Sequence, residues 1–273
     1  MYPQREVFPN SPLALVAAEI RFTDAPRLRQ QETLDGIAVA LEHLLPIQVQ
    51  HQQALNVQVV VPGQQPQVQF VSGRTMKNVA STSAMTLFPD RLAFETTDYT
   101  DFGSFREAVL ACTSALVESR VTPAIQRIGL RYLDEIRVPS APTIDAREWG
   151  EWIDNRLVDQ LRLGPSDAPI VRAEGFISYD LTNRRGLNFR FAALQSGAVV
   201  VSSDLIRRPF SQELPLFVLD FDGYEDFTMQ AATLLDVNVV ARTLDAVHGP
   251  AGATFQNVIT DKARDLFRER SRR

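Results

Sequence analysis

The stretch RIGLRYLDEIRVP, Arg127–Pro139, decides how this chain is read. Ile128, Leu130 and Tyr132 fall on one side of an extended backbone, and Arg127, Gly129 and Arg131 fall on the other. A period of two is the signature of a β-strand with one buried face. Asp134, Glu135 and Arg137 gather near its end. Two explanations of the arginines stay open. They pair with carboxylates on a neighbouring strand, Glu19 among them, or they form a face whose donor forks hold a carboxylate or phosphate group.

The same alternation appears upstream. LALVAAEIRF, Leu13–Phe22, puts Ala14, Val16, Ala18, Ile20 and Phe22 on one face, while the other turns polar at Glu19 and Arg21. Leu34, Ile37, Ala38, Leu41 and Leu45 recur at helical spacing, so Glu32–Leu45 reads as a helix that Pro46 stops. The glutamine-rich segment that follows reads as a hairpin. Val57, Val59 and Val61 precede a turn at Pro62, Gly63 and Pro66, Val68 and Phe70 follow it, and His51 falls in a solvated connection. Pro89 and Asp90 mark a second hairpin turn between Met85/Leu87 and Leu92/Phe94. A helix over Gly103–Ser119 carries the stripe Phe105, Val109, Cys112 and Leu116, so Cys112 is expected as a small buried hydrophobe.

Beyond Pro139, the spacing of Trp149, Trp152, Ile153, Leu157 and Leu161 predicts a helix over Thr143–Leu161. VRAEGFISYDL, GLNFRFAAL and GAVVVSSDLI then read as antiparallel strands, with turns at NRRG and QSG. PLFVLDFDGY adds a strand with Phe217, Leu219 and Phe221 opposite Asp220 and Asp222. Two helices close the chain. The first holds Val237, Val240, Ala241, Leu244 and Val247; the second presents Phe255, Ile259 and Leu266; HGPAG, 248–252, breaks between them. The fold class is α+β, antiparallel sheets with flanking helices. Residues 1–140 and 141–273 are drawn equally well as two similar α+β halves or as one continuous sheet.

The 28 basic and 33 acidic residues leave a formal charge of −5, which argues against a general nucleic-acid binder. A single cysteine forms no intrachain disulfide, which fits a reducing compartment. No run has the length of a bilayer span, and MYPQREVFPNSP lacks the hydrophobic segment of a signal peptide. The expectation is a cytoplasmic protein without membrane contact.

Three segments, FPNSPLALVAAEIRF (Phe8–Phe22), RIGLRYLDEI (Arg127–Ile136) and LDAVHGPAGATFQNVIT (Leu244–Thr260), together resemble a sporadically distributed bacterial family of about this length that has no assigned biochemical activity. The resemblance covers nearly the whole chain. It implies interaction positions at Pro9, Pro12, Glu19 and Arg21, at Arg127, Gly129, Arg131 and Tyr132, and at His248 and Phe255, and it specifies no reaction. The patchy distribution of that family implies a conflict-related or toxin–antitoxin-like locus.

Motifs for catalysis are sparse. GPAGAT at Gly249 lacks the lysine and hydroxyl residue of a P-loop, and no GxGxxG occurs. His43, His51 and His248 are far apart, and with one cysteine they do not give zinc spacing. Asp220 and Asp222 lie about 7 Å apart on one strand face. With loop oxygens, or with Glu174 and Asp180, they would share Mg²⁺. That is the basis of one alternative, a metal-dependent phosphate-ester enzyme with an arginine clamp. A second alternative, nucleic-acid binding, needs Arg184/Arg185, Arg207/Arg208 and the terminal arginines to merge into one surface. His248, expected at a helix exit, titrates near neutrality but has no nucleophile beside it. The favoured expectation is a non-enzymatic interaction module without a cofactor. It recognises a protein partner or itself through Glu19, Arg127, Arg131, Tyr132 and His248.

Overall fold

In the computed structural model, which describes residues 6, 8–56, 68–141, 143–170, 172–181, 184–198, 205–207 and 214–269, the two most clearly alternating segments are neighbours. Leu13–Phe22 forms β1 and Ile125–Arg137 forms β6; they pair antiparallel, with Ile20 opposite Ile128 and Glu19 opposite Gly129. The other strands are β2 (Ile47–Asn56), β3 (Val68–Lys77), β4 (Ser83–Phe88), β5 (Arg91–Thr96), β7 (Arg172–Asp180), β8 (Arg185–Leu194) and β9 (Leu216–Asp226). They complete a nine-stranded antiparallel sheet in the order β2-β3-β4-β5-β1-β6-β9-β8-β7. The fold is thus α+β. In each wing the last strand returns beside the first: β5 next to β1, and β9 next to β6.

The helices are α1 (Gln31–Leu41), α2 (Phe102–Glu118), α3 (Asn155–Val158), α4 (Val237–Val258) and α5 (Asp261–Arg268). No helix among the described residues is long and apolar enough to cross a membrane. Val16, Ala18, Ile20, Phe22, Ile128, Leu130, Phe217, Leu219 and Phe221 are buried together on one face of the sheet. α4 crosses that face over β6, β8 and β9, α2 lies against α4, and α1 lies against α2. Phe189 and Phe221 stack with ring centroids 4.8 Å apart. Cys112 is buried in this layer, where desolvation pushes its thiol up to about 12. It behaves as a hydrophobe, as its helical position predicts.

The opposite face carries Arg21, Glu19, Arg127, Arg131, Asp220 and Asp222. Leu205 to Arg207 of the β8–β9 connection lie near one end of it. Leu205 is buried, Ile206 donates its backbone N–H to the Ser81 carbonyl, and Arg207 reaches Glu135 at 3.0 Å.

Two helical expectations need correction. Thr143–Leu161 is not one helix; it breaks into 3-10 turns at Ala146–Glu151 and Asp159–Leu163 around the short α3. Ile153 pairs with Ile259 instead, Asp154 donates its backbone N–H to the Val258 carbonyl, and the Asp145 and Asp154 side chains cap local turns. Backbone groups committed to another segment are lost to a helix. The break at HGPAG is also absent, because α4 runs through Pro250. Its buried stripe Val240, Leu244, Val247, Ala251 and Val258 keeps helical phase across the proline. An internal proline costs about 3 kcal/mol of helix stability, and burial of that continuous stripe offsets it. His248 therefore lies inside α4 and not at its exit, and Phe255 belongs to the same helix.

The glutamine-rich hairpin forms, with Ile47 opposite Lys77 and Asn56 opposite Val68, so His51 lies in a strand and not in a connection. Its turn at Pro62, Gly63 and Pro66, with Val57, Val59 and Val61, lies outside the described residues. The same holds for residues 199–204 of GAVVVSSDLI.

Two glycines test the packing in opposite directions. A Cβ on Gly223 would sit 2.8 Å from the Val247 carbonyl, so this glycine lets α4 approach β9. Gly223→Ala is expected to destabilise by about 1–3 kcal/mol. A Cβ on Gly36, in α1, meets nothing within 4 Å. Gly36→Ala should stabilise by roughly 0.5–1 kcal/mol. Urea unfolding of both variants reads the contrast, and a stable Gly223→Ala protein would contradict the close helix–sheet contact.

Candidate functional site

Arg127 and Arg131 do point to the same side of β6, away from the apolar layer. Arg131 faces Asp222 across the ladder but forks onto Asp220, with Nε and Nη2 at 2.7 and 2.8 Å from its two oxygens. Arg190 approaches the same carboxylate at 3.6 Å. Arg127 takes a longer route. Its Nη2 reaches both oxygens of Asp222 at 2.9 and 2.8 Å, Glu19 lies 3.9 Å from Nη1, and the guanidinium sits 4.7 Å from the centre of the Tyr224 ring. Gly129 makes this path available, since a Cβ there would lie 2.7 Å from Arg127 Nη1. Glu19 itself bonds Arg21 at 2.6 Å.

The charged face thus reads Arg21–Glu19–Arg127–Asp222 beside Arg131–Asp220–Arg190, a lane of alternating sign. Of the two explanations the sequence leaves open, pairing within the sheet is the one realised, chiefly with Asp220 and Asp222 and less with Glu19. The guanidinium forks that an external phosphate would use are occupied, and so are the two aspartates of the metal reading. Among the described residues no group of three His, Cys, Asp or Glu side chains is placed to hold a metal ion. The basic pairs are matched in the same way. Arg184 and Arg185 both bond Glu225, and Arg207 bonds Glu135. Arg208 and residues 270–273 lie outside the described residues.

Tyr132 and His248 lie on the other side of the sheet. The five interaction residues expected from the sequence therefore divide between two faces and form no single patch. His248 stacks on Phe102, with centroids 3.9 Å apart and planes 3° from parallel, and its Nδ1 is 2.8 Å from the Tyr132 hydroxyl. Tyr99 meets the edge of Tyr132 at 6.0 Å. His248, Tyr132 and Tyr99 border a cavity of about 140 Å³ under α4, together with Phe8, Ser11, Leu13, Asp134, Phe221 and Phe255. The segments Phe8–Phe22, Arg127–Ile136 and Leu244–Thr260 meet here. The first contributes Phe8, Ser11 and Leu13, the second Tyr132 and Asp134, and the third His248 and Phe255.

The anchoring of the amino-terminal segment is specific. Phe8 packs edge-on against Phe267 at 5.5 Å, and Glu6 forks onto Arg268 at 2.6 and 2.8 Å. The Arg268 hydrogen bonds hold the Glu6 carboxyl below the usual range. Asp101 caps α2 by accepting from the Ser104 N–H, which lowers its pKa as well.

Asp134 is the exception at this cavity. It is 4% exposed, and its carboxyl has no hydrogen bond or ion pair among the described residues. Burial, reinforced by the nearby charge of Asp220, pushes its pKa up to about 8. By its place in the sequence it groups with Glu135 as a strand-end acid. Its phase is the signal that distinguishes it, since Asp134 alternates with Tyr132 and Ile136 and so belongs to the apolar face. A larger open groove of about 960 Å³ lies between residues 138–162 and α5. Two of its cations are paired, Lys262 with Glu151 and Arg162 with Asp159.

No protein-family model matches this chain, and no curated protein or solved structure matches it.

The raised Asp134 pKa has a signed consequence. An unfolded aspartate releases its proton near 4, so between about pH 4 and 8 the folded chain holds the extra proton and loses stability as pH rises. Asp134→Asn removes that loss. Relative to wild type, the variant should gain roughly 1–3 kcal/mol on going from acidic to mildly alkaline solution. Urea unfolding at the two pH values measures the gain, and a constant difference between the proteins would count against a buried, unpartnered carboxyl.

Proposed function

We propose that this chain is a non-enzymatic protein-interaction module that self-associates along the open edge of β7. The observation that carries the reading is the sequence of that edge, RAEGFISYD, Arg172–Asp180, which is complementary to itself. Around a twofold axis at Phe176, Arg172 comes opposite Asp180 of the second copy, Ala173 opposite Tyr179, Glu174 opposite Ser178 and Gly175 opposite Ile177. Opposite charges meet at both ends, and small residues meet large ones between them. Cross-strand pairs of these kinds stabilise antiparallel ladders, and a twofold contact of one strand with itself closes a dimer.

The edge itself supports the reading. β7 ends the sheet, and among the described residues its outer side makes no backbone hydrogen bond. Such an edge is a template for another strand unless it is blunted. Proline is absent from β7, and Phe176 and Tyr179 are 57% and 40% exposed. Arg190 lies 5.0 Å from the centre of the Phe176 ring and flattens it against β8. The ion pairs that occupy Arg127, Arg131, Asp220 and Asp222 favour interaction through this edge over chemistry on the charged face.

Charge reversal tests the register. Wild type is expected to dimerise with rising concentration in sedimentation velocity. Arg172→Glu and Asp180→Arg should each weaken the dimer by about tenfold or more. The double variant should restore it, since the two exchanged side chains would again meet with opposite charge. A wild-type chain that stays monomeric, or single variants that dimerise normally, would remove the proposal.

A further inference from the structure

We propose that the cavity under α4 binds a primary alkylammonium group, with the Asp134 carboxyl as its counter-ion. This site is independent of the β7 edge. A buried polar group without a partner is uncommon in a native protein, and a buried carboxyl is costly unless it is paired. Among the described residues the Asp134 carboxyl has no hydrogen-bond or ion-pair partner, and it borders a cavity of about 140 Å³.

The lining identifies the missing partner. Among the described residues it contains Glu6, Asp101 and Asp134 but neither lysine nor arginine. Glu6 is held by Arg268 and Asp101 by the α2 N-terminus, which leaves Asp134 as the acceptor still to be matched. Tyr99, Tyr132, Phe221 and Phe255 supply aromatic walls, which suit an organic cation. A metal ion fits less well, because no three ligating side chains converge among the described residues. An apolar cavity of about 150 Å³ holds a molecule the size of benzene, so a butylammonium chain fits this one. The same chemistry is offered by a free alkylamine and by a lysine side chain.

The titratable groups around Asp134 set the pH dependence. Glu6 and Asp101 stay ionised, Asp220 lies across the ladder, and His248 bonds Tyr132. Acid therefore weakens binding by protonating Asp134. At neutral pH the cation draws a proton off Asp134.

Calorimetry with n-butylammonium chloride, 1-butanol and Nα-acetyl-lysine amide tests the site on wild type and Asp134→Asn. Wild type should bind butylammonium at least about tenfold more tightly than butanol. It should also release about one proton near neutral pH, seen as heats that vary with the ionisation enthalpy of the buffer. Asp134→Asn should lose at least about tenfold in affinity and all of the proton release. Comparable binding of acetyl-lysine amide assigns the cation to a partner's lysine, while binding of butylammonium alone assigns it to a small amine. The site is overturned if wild type binds neither cation, if butanol binds as well as butylammonium, or if Asp134→Asn keeps both affinity and proton release. If that variant does not fold, the wild-type proton release and the butanol comparison still decide.

Discussion

The pairing of β1 with β6 is the contact on which the rest of the molecule depends. It joins the start of the chain to its middle, and each wing then grows outward from it through neighbouring antiparallel strands. The cost of closing a long loop rises only slowly with its length, so such a distant pair is tolerable once its register is unambiguous. The alternation fixes the register. A slip of one residue would turn Arg127 and Arg131 into the apolar layer and Ile128 and Leu130 out of it. The helices have one face to cover, and α4 covers the seam between β6 and β9 at Gly223.

That asymmetry sets the chemistry of both faces. On the side away from the helices, Arg127, Arg131 and Arg190 find carboxylates on the neighbouring β9, and Arg21 finds Glu19 on its own strand. Where such pairs are exposed, as Arg21–Glu19 is, they contribute little net stability, about 0–1 kcal/mol each. Their larger effect is on specificity, because a neutralised lane offers an incoming anion few free donors. On the helix side polar groups are rare, and most are matched: His248 by Tyr132, Asp101 by the α2 N-terminus, Glu6 by Arg268. Against that background one unmatched carboxyl at a small cavity carries more information than the whole arginine face.

Much of the fold was legible in the sequence. The period-two stretches at β1, β6 and β9 and the Pro89-Asp90 turn all lie where their patterns place them. The stripe of α2 does too. The misreadings share a cause. Trp149, Trp152, Ile153 and Leu157 have helical spacing, yet the backbone at Ile153 is claimed by Ile259. Pro250 is a local helix breaker, yet the stripe from Val240 to Val258 carries α4 past it. Each time a long-range contact overrode local preference. The site was less legible. Nothing in the sequence shows that Tyr132 and His248 touch, and Asp134 reads there as one more acid at a strand end.

The sequence by itself determined which residues alternate, and therefore which side of each strand is apolar, because side-chain direction is a local property of an extended backbone. It also set the near-balance of charge and the helical stripe that buries Cys112. Tertiary structure alone decided the partners. Arg131 meets Asp220, Arg127 crosses Gly129 to Asp222, and the Asp134 carboxyl comes to border a cavity, because strand order and register bring distant segments together and no local pattern encodes that distance.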